Sequence, residues 1–586
     1  MRVNRLVDSR DRHSIREMVE GFDPAWLQWP ALQMKRPDGY WRLTYRELQD
    51  HVRGIGEALL QAGVGKGDKV GLIAENRSEW VLAYLAVTCI GAIIVPYDIL
   101  LKVDELAAIV RASEARVVVT SSEYLDKVTR TLGAMKGGQV ETLILCDDPP
   151  ASVPGVKNVL SFHEMMKNGM KARAQGSRGY DEAVVDPMDP AALIFTSGTT
   201  GTPKGVLLSH KGLVENGDAV QMTTRLGFGD NWVIVLPYHH TYPTHMGVFV
   251  PLLSGAVITP VPSMKTNVLV GIMKETTATC IPAMPLLIEK IYKGIWTNVK
   301  AKGPVVHTLF RVMFAVSRFF FTVLHVRIGK YLFQSVAREL GLTKIRWFVS
   351  GGGPIQKDTI DGMESLGFPT YQGYGLTETS PVVATSCPSH NRPGSVGVPL
   401  WNVEVRIDTP DQNGNGEILV RGSCVMLGYY KMEEKTREVI DTDGWFHTGD
   451  IGKLDDEGFL YVTGRLKNII VTNGGKNIYP EEIEAILAAS PLLSEVVVIG
   501  KLDKDGGEYP HAIVYPDPEI VEAMEKERGK AFTDDEMHAL VRVEIQKCTA
   551  GVAVYKIPHD FDVSKEELPK SGTRKVKRFL FTDQRR

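Results

Sequence analysis

The feature that most restricts the fold is a short apolar run at residues 191–195 that is followed at once by a polar, glycine-rich decamer at residues 196–205. The apolar run is typical of a buried strand, and α/β sheets bind ligands beyond the carboxyl ends of such strands. The decamer combines five hydroxyl side chains, three glycines and Lys204. Glycines allow close backbone approach, and successive N–H groups can form an anion-binding concavity. The run therefore predicts a phosphate-binding loop.

Two other interpretations of the decamer are weaker. A Walker loop requires Gly-x-x-x-x-Gly-Lys-Ser/Thr, whereas Pro203 precedes Lys204 here and Gly205 follows it. A flexible surface linker is also rich in serine, threonine and glycine, but a linker does not usually follow a buried-type strand directly. We therefore interpret residues 196–205 as a phosphate loop of a different class.

The chain alternates between helical and strand patterns. Apolar residues at helical spacing over residues 45–63 predict a helix, and a strand is predicted from Lys69. Such alternation indicates an α/β fold, here a large multi-layer N-terminal domain with mostly parallel sheets. A chain of 586 residues exceeds one hydrophobic core. We place a boundary near residue 465, followed by a small α+β C-terminal domain with a helix starting at Pro480.

Charge and cysteine usage narrow the function classes. The net charge of −3 gives no reason to expect a nucleic-acid partner. The six cysteines lie far apart without a Cys-x-x-Cys pair, and residues 1–5 are polar and unlike a signal peptide, so we expect a cytoplasmic protein with free thiols. Residues 80–97 are apolar and long enough for a span. Because Gly91 and Pro96 interrupt them, we predict a buried helix followed by a core strand.

A basic segment at residues 290–338 contains nine Lys or Arg and neither Asp nor Glu. Within it, residues 307–325 predict an amphipathic helix that places Arg311, Arg318 and His325 on one stripe. Such a helix can lie in an anionic membrane interface on the inner face of the membrane. The alternative is a helix that packs on the N-terminal domain and lets its arginines reach water. The sequence supports both interpretations equally.

The decamer and five later motifs occur in the order found in adenylate-forming enzymes, a family that includes acyl-CoA synthetases, aryl-CoA ligases and luciferases. The chain resembles this family from about residue 43 to residue 575. The further motifs are Leu-Pro-Tyr-His-His at 236–240, Ser-Gly-Gly-Gly-Pro at 350–354, Tyr-Gly-Leu-Thr-Glu at 374–378, Gly-Trp-Phe-His-Thr-Gly-Asp at 444–450 and Gly-Arg-Leu-Lys at 464–467.

The resemblance implies a set of ATP- and AMP-binding residues. An ionised carboxylate such as Asp450 can accept hydrogen bonds from both ribose hydroxyls, and nucleotide enzymes hold Mg²⁺ with one or two carboxylates plus phosphate oxygens. Glu378, together with Thr196, is accordingly the expected Mg²⁺ site. The full implied nucleotide set is Thr196, Ser197, Gly198, Thr199, Thr200, Gly201, Lys204, Gly351, Gly352, Gly353, Gln372, Gly373, Tyr374, Gly375, Thr377, Asp450 and Arg465.

The acyl site and the C-terminal domain follow from the same resemblance. His240 is expected beside the acyl carboxylate and His239 packed nearby; a metal on this pair is the weaker alternative because spacing indicates no third ligand. Lys575 lies six residues after Pro569 and matches the family's catalytic lysine, although Arg574 stands where a glycine is usual, so a solvated basic tail is the alternative. The implied catalytic set is Lys575, Thr196, Lys204, His240 and Glu378.

The remaining implied roles concern domain motion and CoA. Residues 465–468 are the expected hinge, with Lys467 at its centre, between domains at residues 1–464 and 469–586. Rotation about Lys467 would withdraw Lys575 and bring in Gly474, Gly475 and Lys476 for CoA.

The sequence therefore predicts an ATP-, Mg²⁺- and CoA-dependent, AMP-forming ligase for a fatty acid. Extra helical sequence before the Ser-Gly-Gly motif is similar to long-chain members of the family. Transfer to a carrier-protein phosphopantetheine, a non-catalytic nucleotide-binding scaffold and a membrane-associated lipid-binding protein are the alternatives.

Overall fold

A computed structural model describes residues 12–135, 138–196, 203–392, 394–472, 476–502, 507–570 and 576–582. The chain folds into two compact units. Unit 1 consists of Met1–Val405 and Val420–Phe446, and unit 2 consists of Arg406–Leu419 and His447–Arg586. The hinge at residues 465–468 and the domain bounds drawn from it stay predictions.

Most strands are short, and three longer ones, Phe446–Leu454, Leu493–Leu502 and Glu508–Pro516, lie in or extend into unit 2. They are β1 (Pro30–Arg36), β2 (Gly39–Thr44), β3 (Lys69–Ile73), β4 (Ile93–Pro96), β5 (Val117–Thr120), β6 (Thr142–Leu145), β7 (Asn158–Ser161), β8 (Pro190–Thr196), β9 (Lys204–Ser209), β10 (Asn231–Ile234), β11 (Val257–Pro260), β12 (Cys280–Ala283), β13 (Trp347–Ser350), β14 (Thr370–Gly375), β15 (Val382–Thr385), β16 (Val398–Pro399), β17 (Val403–Asp408), β18 (Gly416–Gly422), β19 (Gly428–Tyr429), β20 (Phe446–Leu454), β21 (Leu460–Arg465), β22 (Ile470–Val471), β23 (Asn477–Ile478), β24 (Leu493–Leu502), β25 (Glu508–Pro516) and β26 (Asp560–Val563).

The helices alternate with these strands along most of the chain. They are α1 (Ile15–Glu20), α2 (Tyr45–Gln61), α3 (Ser78–Cys89), α4 (Val103–Ser113), α5 (Leu125–Ala134), α6 (Phe162–Ala174), α7 (Gly179–Glu182), α8 (His210–Thr224), α9 (Thr241–Thr244), α10 (Val250–Ser254), α11 (Thr266–Thr276), α12 (Pro285–Ala301), α13 (Pro304–Leu324), α14 (Gly329–Leu332), α15 (Gln334–Leu340), α16 (Lys357–Ser365), α17 (Glu433–Arg437), α18 (Pro480–Leu487), α19 (Pro518–Arg528), α20 (Asp534–Cys548) and α21 (Phe579–Thr582).

Two large sheets form unit 1. An eight-stranded sheet has the order β19-β9-β8-β4-β3-β5-β6-β7, and a nine-stranded sheet has the order β16-β15-β14-β13-β12-β10-β11-β1-β2. The neighbours from β8 through β4 to β7 pair in parallel, as do those from β14 through β10 to β1. Among the described strands, the antiparallel pairs of these two sheets lie toward the sheet ends. The predicted α/β class with mostly parallel sheets is confirmed.

The apolar segment at residues 80–97 is a core element. Every residue of α3 is buried, and so is every residue of β4, which lies between β3 and β8 in the eight-stranded sheet. The break falls where Gly91 takes a left-handed conformation with φ 76°, a conformation that glycine adopts without steric cost. The prediction of a buried helix followed by a core strand is therefore confirmed.

Unit 2 has a small α+β core. The long hairpin of β24 and β25 pairs with β26 in a three-stranded sheet. Helix α18 begins at Pro480 as predicted, and its Ile483 and Leu487 pack in one cluster with Val541 and Ile545 of α20. A second sheet, β17-β18-β20-β21, carries Asp450 and Arg465.

Two fully buried histidines of unit 1, His210 and His245, predict a loss of stability in acid. Burial lowers the pKa of His210 to about 4 and the pKa of His245 to about 3, whereas the unfolded chain has a pKa of about 6.5. Because only the unfolded chain binds these protons, stability falls as the pH drops below about 6.5. We expect each histidine to cost about 2 kcal/mol of unfolding free energy between pH 6.5 and pH 5.

Urea unfolding at these two pH values measures the loss. The variant His245→Gln lacks one of the titrating groups, so its pH-dependent loss is expected to be smaller by about 2 kcal/mol. His390→Gln, at an exposed position, should behave like the unmodified protein. Equal losses in His245→Gln and in the unmodified protein would contradict the prediction.

Candidate active site

The predicted phosphate loop lies between two antiparallel strands of the eight-stranded sheet. Thr196 ends β8, Lys204 begins β9, and the two residues are direct pairing partners. The Thr196 hydroxyl donates a hydrogen bond to the Lys204 carbonyl at 3.4 Å. The predicted strand before the loop is confirmed. The predicted loop residues Ser197, Gly198, Thr199, Thr200 and Gly201 lie outside the described residues and stay predictions.

Tyr429 connects Lys204 with Glu378. The Lys204 Nζ lies over the Tyr429 ring, 4.7 Å from its centroid, and the Tyr429 hydroxyl donates to Glu378 Oε1 at 3.0 Å. The Glu378 carbonyl accepts a hydrogen bond from the Met426 N–H at 2.8 Å. The fold thus brings the lysine of the loop and the predicted Mg²⁺ ligand onto one tyrosine. Sequence reasoning missed Tyr429 because no motif marked it.

Strand β19 explains why Tyr429 lies there. Gly428 pairs with Leu207 and Tyr429 pairs with Val206, so β19 runs along β9 directly after Lys204. The Tyr430 N–H also donates to the Gly205 carbonyl at 2.7 Å. Backbone pairing therefore holds the aromatic ring beside the start of β9.

The Ser-Gly-Gly-Gly turn follows β13 at the carboxyl edge of the nine-stranded sheet. A Cβ on Gly351 would lie 2.6 Å from the Tyr242 ring, which is too close for any side chain to fit without a shift. The Tyr242 hydroxyl donates to the Val349 carbonyl at 2.7 Å. Gly352 has a φ of 81°, and Gly353 follows in the same turn. Gly351 therefore keeps the backbone close to the Tyr242 ring.

Residues 372–375 form the end of β14, the neighbouring strand. The Gln372 N–H donates to the Ser386 hydroxyl at 2.8 Å, and its side-chain amide donates to the Ser395 carbonyl. A Cβ on Gly375 would lie 1.7 Å from the Pro381 carbonyl oxygen, so only glycine fits. The other predicted nucleotide residues, Gly373, Tyr374 and Thr377, lie on this strand or in the turn that carries Glu378.

Asp98, His239 and His240 form a cluster that links the edges of the two sheets. Asp98 follows β4 of one sheet and the histidines follow β10 of the other. Asp98 Oδ1 lies 3.1 Å from His239 Nε2, and the two imidazole rings are 4.2 Å apart. Their ligand atoms lie within 4.8 Å of one another, near enough to hold a cation. The fold thus supplies a third candidate ligand, Asp98, that sequence spacing did not indicate.

The electrostatics of this cluster keep one group charged and one neutral. Burial by itself would raise the pKa of Asp98, but the contact with His239 outweighs it and lowers the pKa to about 2. Burial, together with the neighbouring His239, lowers the pKa of His240 to about 3. At neutral pH the aspartate is therefore ionised and His240 is uncharged, so His240 can accept or donate a hydrogen bond without adding charge.

In unit 2, the two predicted nucleotide residues are paired with each other. Asp450 and Arg465 are direct partners on β20 and β21, and Arg465 Nε lies 2.6 Å from Asp450 Oδ1. Asp450 is nearly buried, and its N–H donates to the Thr448 hydroxyl at 3.0 Å. The arginine thus holds a carboxylate that is suited to accept hydroxyl donors.

The other predicted residues of unit 2 are less completely described. Lys467 lies in the short helical turn Leu466–Asn468 directly after β21. The Lys476 Nζ lies 4.4 Å from the centroid of the Tyr555 ring, a neighbour that sequence reasoning missed. Gly474, Gly475 and Lys575 lie outside the described residues and stay predictions.

Sequence comparison matches two family models. The model described as AMP-binding enzyme covers residues 25–430, and the model described as AMP-binding enzyme C-terminal domain covers residues 482–575. Together they include the loop, Glu378, both histidines and the segment with Lys575.

Individual relatives have different acids in their names. The chain is 30% identical to 4-coumarate–CoA ligase 1 of Arabidopsis thaliana, over 80% of this chain and 78% of that protein. It is 29% identical to the long-chain-fatty-acid–CoA ligase FadD15 of Mycobacterium tuberculosis, over 92% and 90%. It is 28% identical to the chloroplastic long-chain-fatty-acid–[acyl-carrier-protein] ligase AEE15 of Arabidopsis thaliana, over 87% and 76%.

A solved structure supports the fold. The chain superimposes on the anthranilate CoA ligase AuaEII in complex with anthranoyl-AMP with a TM-score of 0.75, at 23% identity, covering 98% of each chain.

Proposed function

The chain belongs to the AMP-binding enzyme family, and from that premise we propose that it is an AMP-forming fatty acyl-CoA ligase that prefers long-chain acids. Its membership supports an adenylate-forming acid-thiol ligase. The observation that carries the proposal is the connection from the loop through Lys204 and Tyr429 to Glu378. It places one cation, at the first residue of β9, and one carboxylate on the same tyrosine, a combination that suits a polyphosphate and its metal ion.

The reaction has two steps. In the first, a carboxylate oxygen of the acid attacks the α-phosphorus of ATP, and pyrophosphate leaves. In the second, the thiol sulfur of CoA loses its proton to solvent and attacks the acyl carbonyl carbon, and AMP leaves with the electron pair of the broken carbonyl–oxygen bond. Each step brings two reactants together and develops negative charge, so positioning and electrostatic stabilisation are what the protein must supply.

The residues of unit 1 fit these demands. Lys204 supplies positive charge at the loop. Glu378 has one oxygen engaged by Tyr429 and is only partly buried, which fits a carboxylate that also holds a magnesium ion. When bound, Mg²⁺ would neutralise phosphate charge. The uncharged His240 can meet the acid's carboxylate, and Asp98 keeps the neighbouring His239 in place.

Two features support a fatty acid as the substrate. One is the similarity, over nine-tenths of both chains, to a protein named as a long-chain-fatty-acid–CoA ligase. The other is the helical segment from α12 to α15, which precedes the Ser-Gly-Gly-Gly turn and extends the apolar core of unit 1 through Ile288, Ile295, Phe310 and Phe333.

The thiol acceptor has a second candidate. The similarity to a protein named as an acyl-carrier-protein ligase favours transfer to the phosphopantetheine of a carrier protein. We place CoA first because the other two relatives are named as CoA ligases. For location, we infer the cytoplasm, since all six cysteines are free thiols and five of them are buried.

A product assay tests the function. Purified protein is incubated with Mg-ATP, CoA and single acids from acetate to oleate, together with 4-coumarate, and AMP and thioesters are quantified by mass spectrometry. We expect the thioester yield to peak at long chains. Lys204→Ala, prepared in parallel, controls for contaminating ligases and should lose the product.

Other outcomes of this assay assign the alternatives. A peak at 4-coumarate would replace the fatty acid with an aryl acid. AMP or acyl-adenylate without thioester would indicate a carrier-protein acceptor. No nucleotide turnover with any acid would contradict an enzymatic role and support a nucleotide-binding scaffold.

A further inference from the structure

Helix α13 exposes a continuous apolar stripe on the surface of unit 1. Six residues at helical spacing share this face, and their side chains are 44–80% exposed. Val305 and Leu309, near the start of the helix, are 80% and 60% exposed. Because scattered exposed apolar residues are normal but a contiguous stripe is not, the face requires an explanation. The stripe consists of Val305, Leu309, Val312, Val316, Phe319 and Val323.

The opposite face of α13 is fixed in the protein core. Phe310 and Phe314 are buried and pack edge-on against Trp296 of α12, with ring centroids 5.0 Å apart in each pair. The buried Ser317 hydroxyl donates to the Ser365 carbonyl at the end of α16, at 2.6 Å. The predicted packing of the helix on the N-terminal domain is thus confirmed for this face of α13. No described residue covers the stripe on the other face.

Among the described residues, α13 is the one helix that is long and apolar enough to cross a bilayer. Its geometry favours a position along the membrane surface. Spanning would pull Phe310 and Phe314 out of the core and carry Arg311 and Arg318 into hydrocarbon, which costs about 3 kcal/mol for each arginine near the bilayer centre. His325 does not continue the basic stripe, since it closes the helix with a φ of 54°.

The charge around the stripe indicates an anionic partner. The segment at residues 290–338 contains nine cations and no acid. Arg311 is exposed beside the stripe. Acids from outside the segment meet three of the nine cations: Asp358 lies 3.0 Å from Arg318, Glu339 lies 2.6 Å from Lys302, and Glu364 lies 2.5 Å from Arg327. A second copy of this chain would bring like charges together, whereas an anionic lipid surface matches them.

We propose that the apolar stripe of α13 docks into the interfacial region of an anionic phospholipid bilayer. The 21 residues of α13 would lie along the membrane plane. The stripe would lie among the acyl chains and the cations at the headgroups. The inference goes beyond the ligase activity and is independent of which acid is activated, because the stripe lies on the surface and none of its residues belongs to the candidate site.

Vesicle co-sedimentation of the full chain tests this proposal. We expect tighter binding to vesicles of phosphatidylglycerol and phosphatidylcholine than to vesicles of phosphatidylcholine alone. The triple variant Val312→Ser, Val316→Ser and Phe319→Ser should bind the anionic vesicles at least about tenfold more weakly, since each side chain loses apolar burial. The matched control replaces Leu502, Val543 and Val554, exposed by 54–72% on unit 2, with serine and should bind like the unmodified protein.

The basic part of the inference has its own variant. Arg311→Gln should weaken binding to the anionic vesicles by about fivefold, because one basic residue near such a surface contributes about 1 kcal/mol. Its binding to neutral vesicles should not change.

Several results would overturn the proposal. These are no binding of the unmodified protein to anionic vesicles, equal binding by the stripe variant, or equal losses in the unit 2 control. Sedimentation without lipid identifies a different occupant. If the unmodified protein is a dimer that does not bind vesicles, and the stripe variant is a monomer, the stripe covers a second copy. Turnover of a soluble acid without vesicles should be unchanged in the stripe variant, which keeps this test separate from that of the ligase activity.

Discussion

Replacing Glu378 with glutamine is expected to reduce the rate of acyl-adenylate formation by about 100- to 1,000-fold, the usual effect of losing one preorganised electrostatic group. The amide keeps the shape of the side chain and its contact with Tyr429, but it loses the charge that a hard divalent cation prefers. ATP–pyrophosphate exchange with the best acid measures the first step alone. The loss should be smaller at high Mg²⁺ if the carboxylate holds the ion.

Tyr429→Phe is the matched variant for this experiment. The phenyl ring can still lie beneath Lys204, while the hydrogen bond to Glu378 disappears. Groups that orient a metal ligand typically contribute 10- to 100-fold in metal affinity, so the Mg²⁺ concentration for half-maximal exchange should rise by about tenfold. If Glu378→Gln exchanges at the normal rate with a normal Mg²⁺ dependence, Glu378 does not hold the metal and the proposed site is wrong.

The second large effect is expected at Lys575, and it separates the two steps of the reaction. Lys575→Ala should lower acyl-adenylate formation by about 100- to 1,000-fold, because a cation at the α-phosphate and the carboxylate would be lost. Thioester formation from supplied acyl-AMP should stay near normal. The prediction rests on the resemblance of residues 568–575 to the family's final motif, which also lies within the matched C-terminal family model.

Lys570 offers a control in the same segment. Its Nζ forms ion pairs within unit 2, with the largely buried Glu495 and the exposed Glu567. Because these pairs engage Lys570 inside unit 2, Lys570→Ala should change neither half-reaction by more than a few-fold. Comparable losses of both half-reactions in Lys575→Ala would argue against a role confined to the first step and would suggest a structural role.

Local patterns predicted the elements that position the site. The apolar run at residues 191–195 lies in β8, the helix expected at residues 45–63 is α2, and the helix expected at residues 307–325 is α13. In each case the signal is the spacing of apolar residues, which depends only on the geometry of a helix or a strand. The break between α3 and β4 was also predictable, because Gly91 acts within its own segment, and Pro96 is the last residue of β4.

The contacts that assemble the site had no such signal. Tyr429 reaches Glu378 because β19 pairs with β9, and Asp98 reaches His239 because two sheets bring their carboxyl edges together. Neither partner is near the other along the chain, and neither Tyr429 nor Asp98 stands in a motif that the sequence analysis used.

The sequence by itself therefore determined the α/β class, the strand that leads into the predicted phosphate loop and the basic helix, because these depend on local spacing and on residue chemistry. Only the tertiary structure decided which side chains meet across the sheets and which face of α13 is buried. The physical reason is that periodicity marks an apolar face but not its partner. Both faces of α13 carry apolar residues, and packing against α12 and α16 selected the one with Phe310 and Phe314.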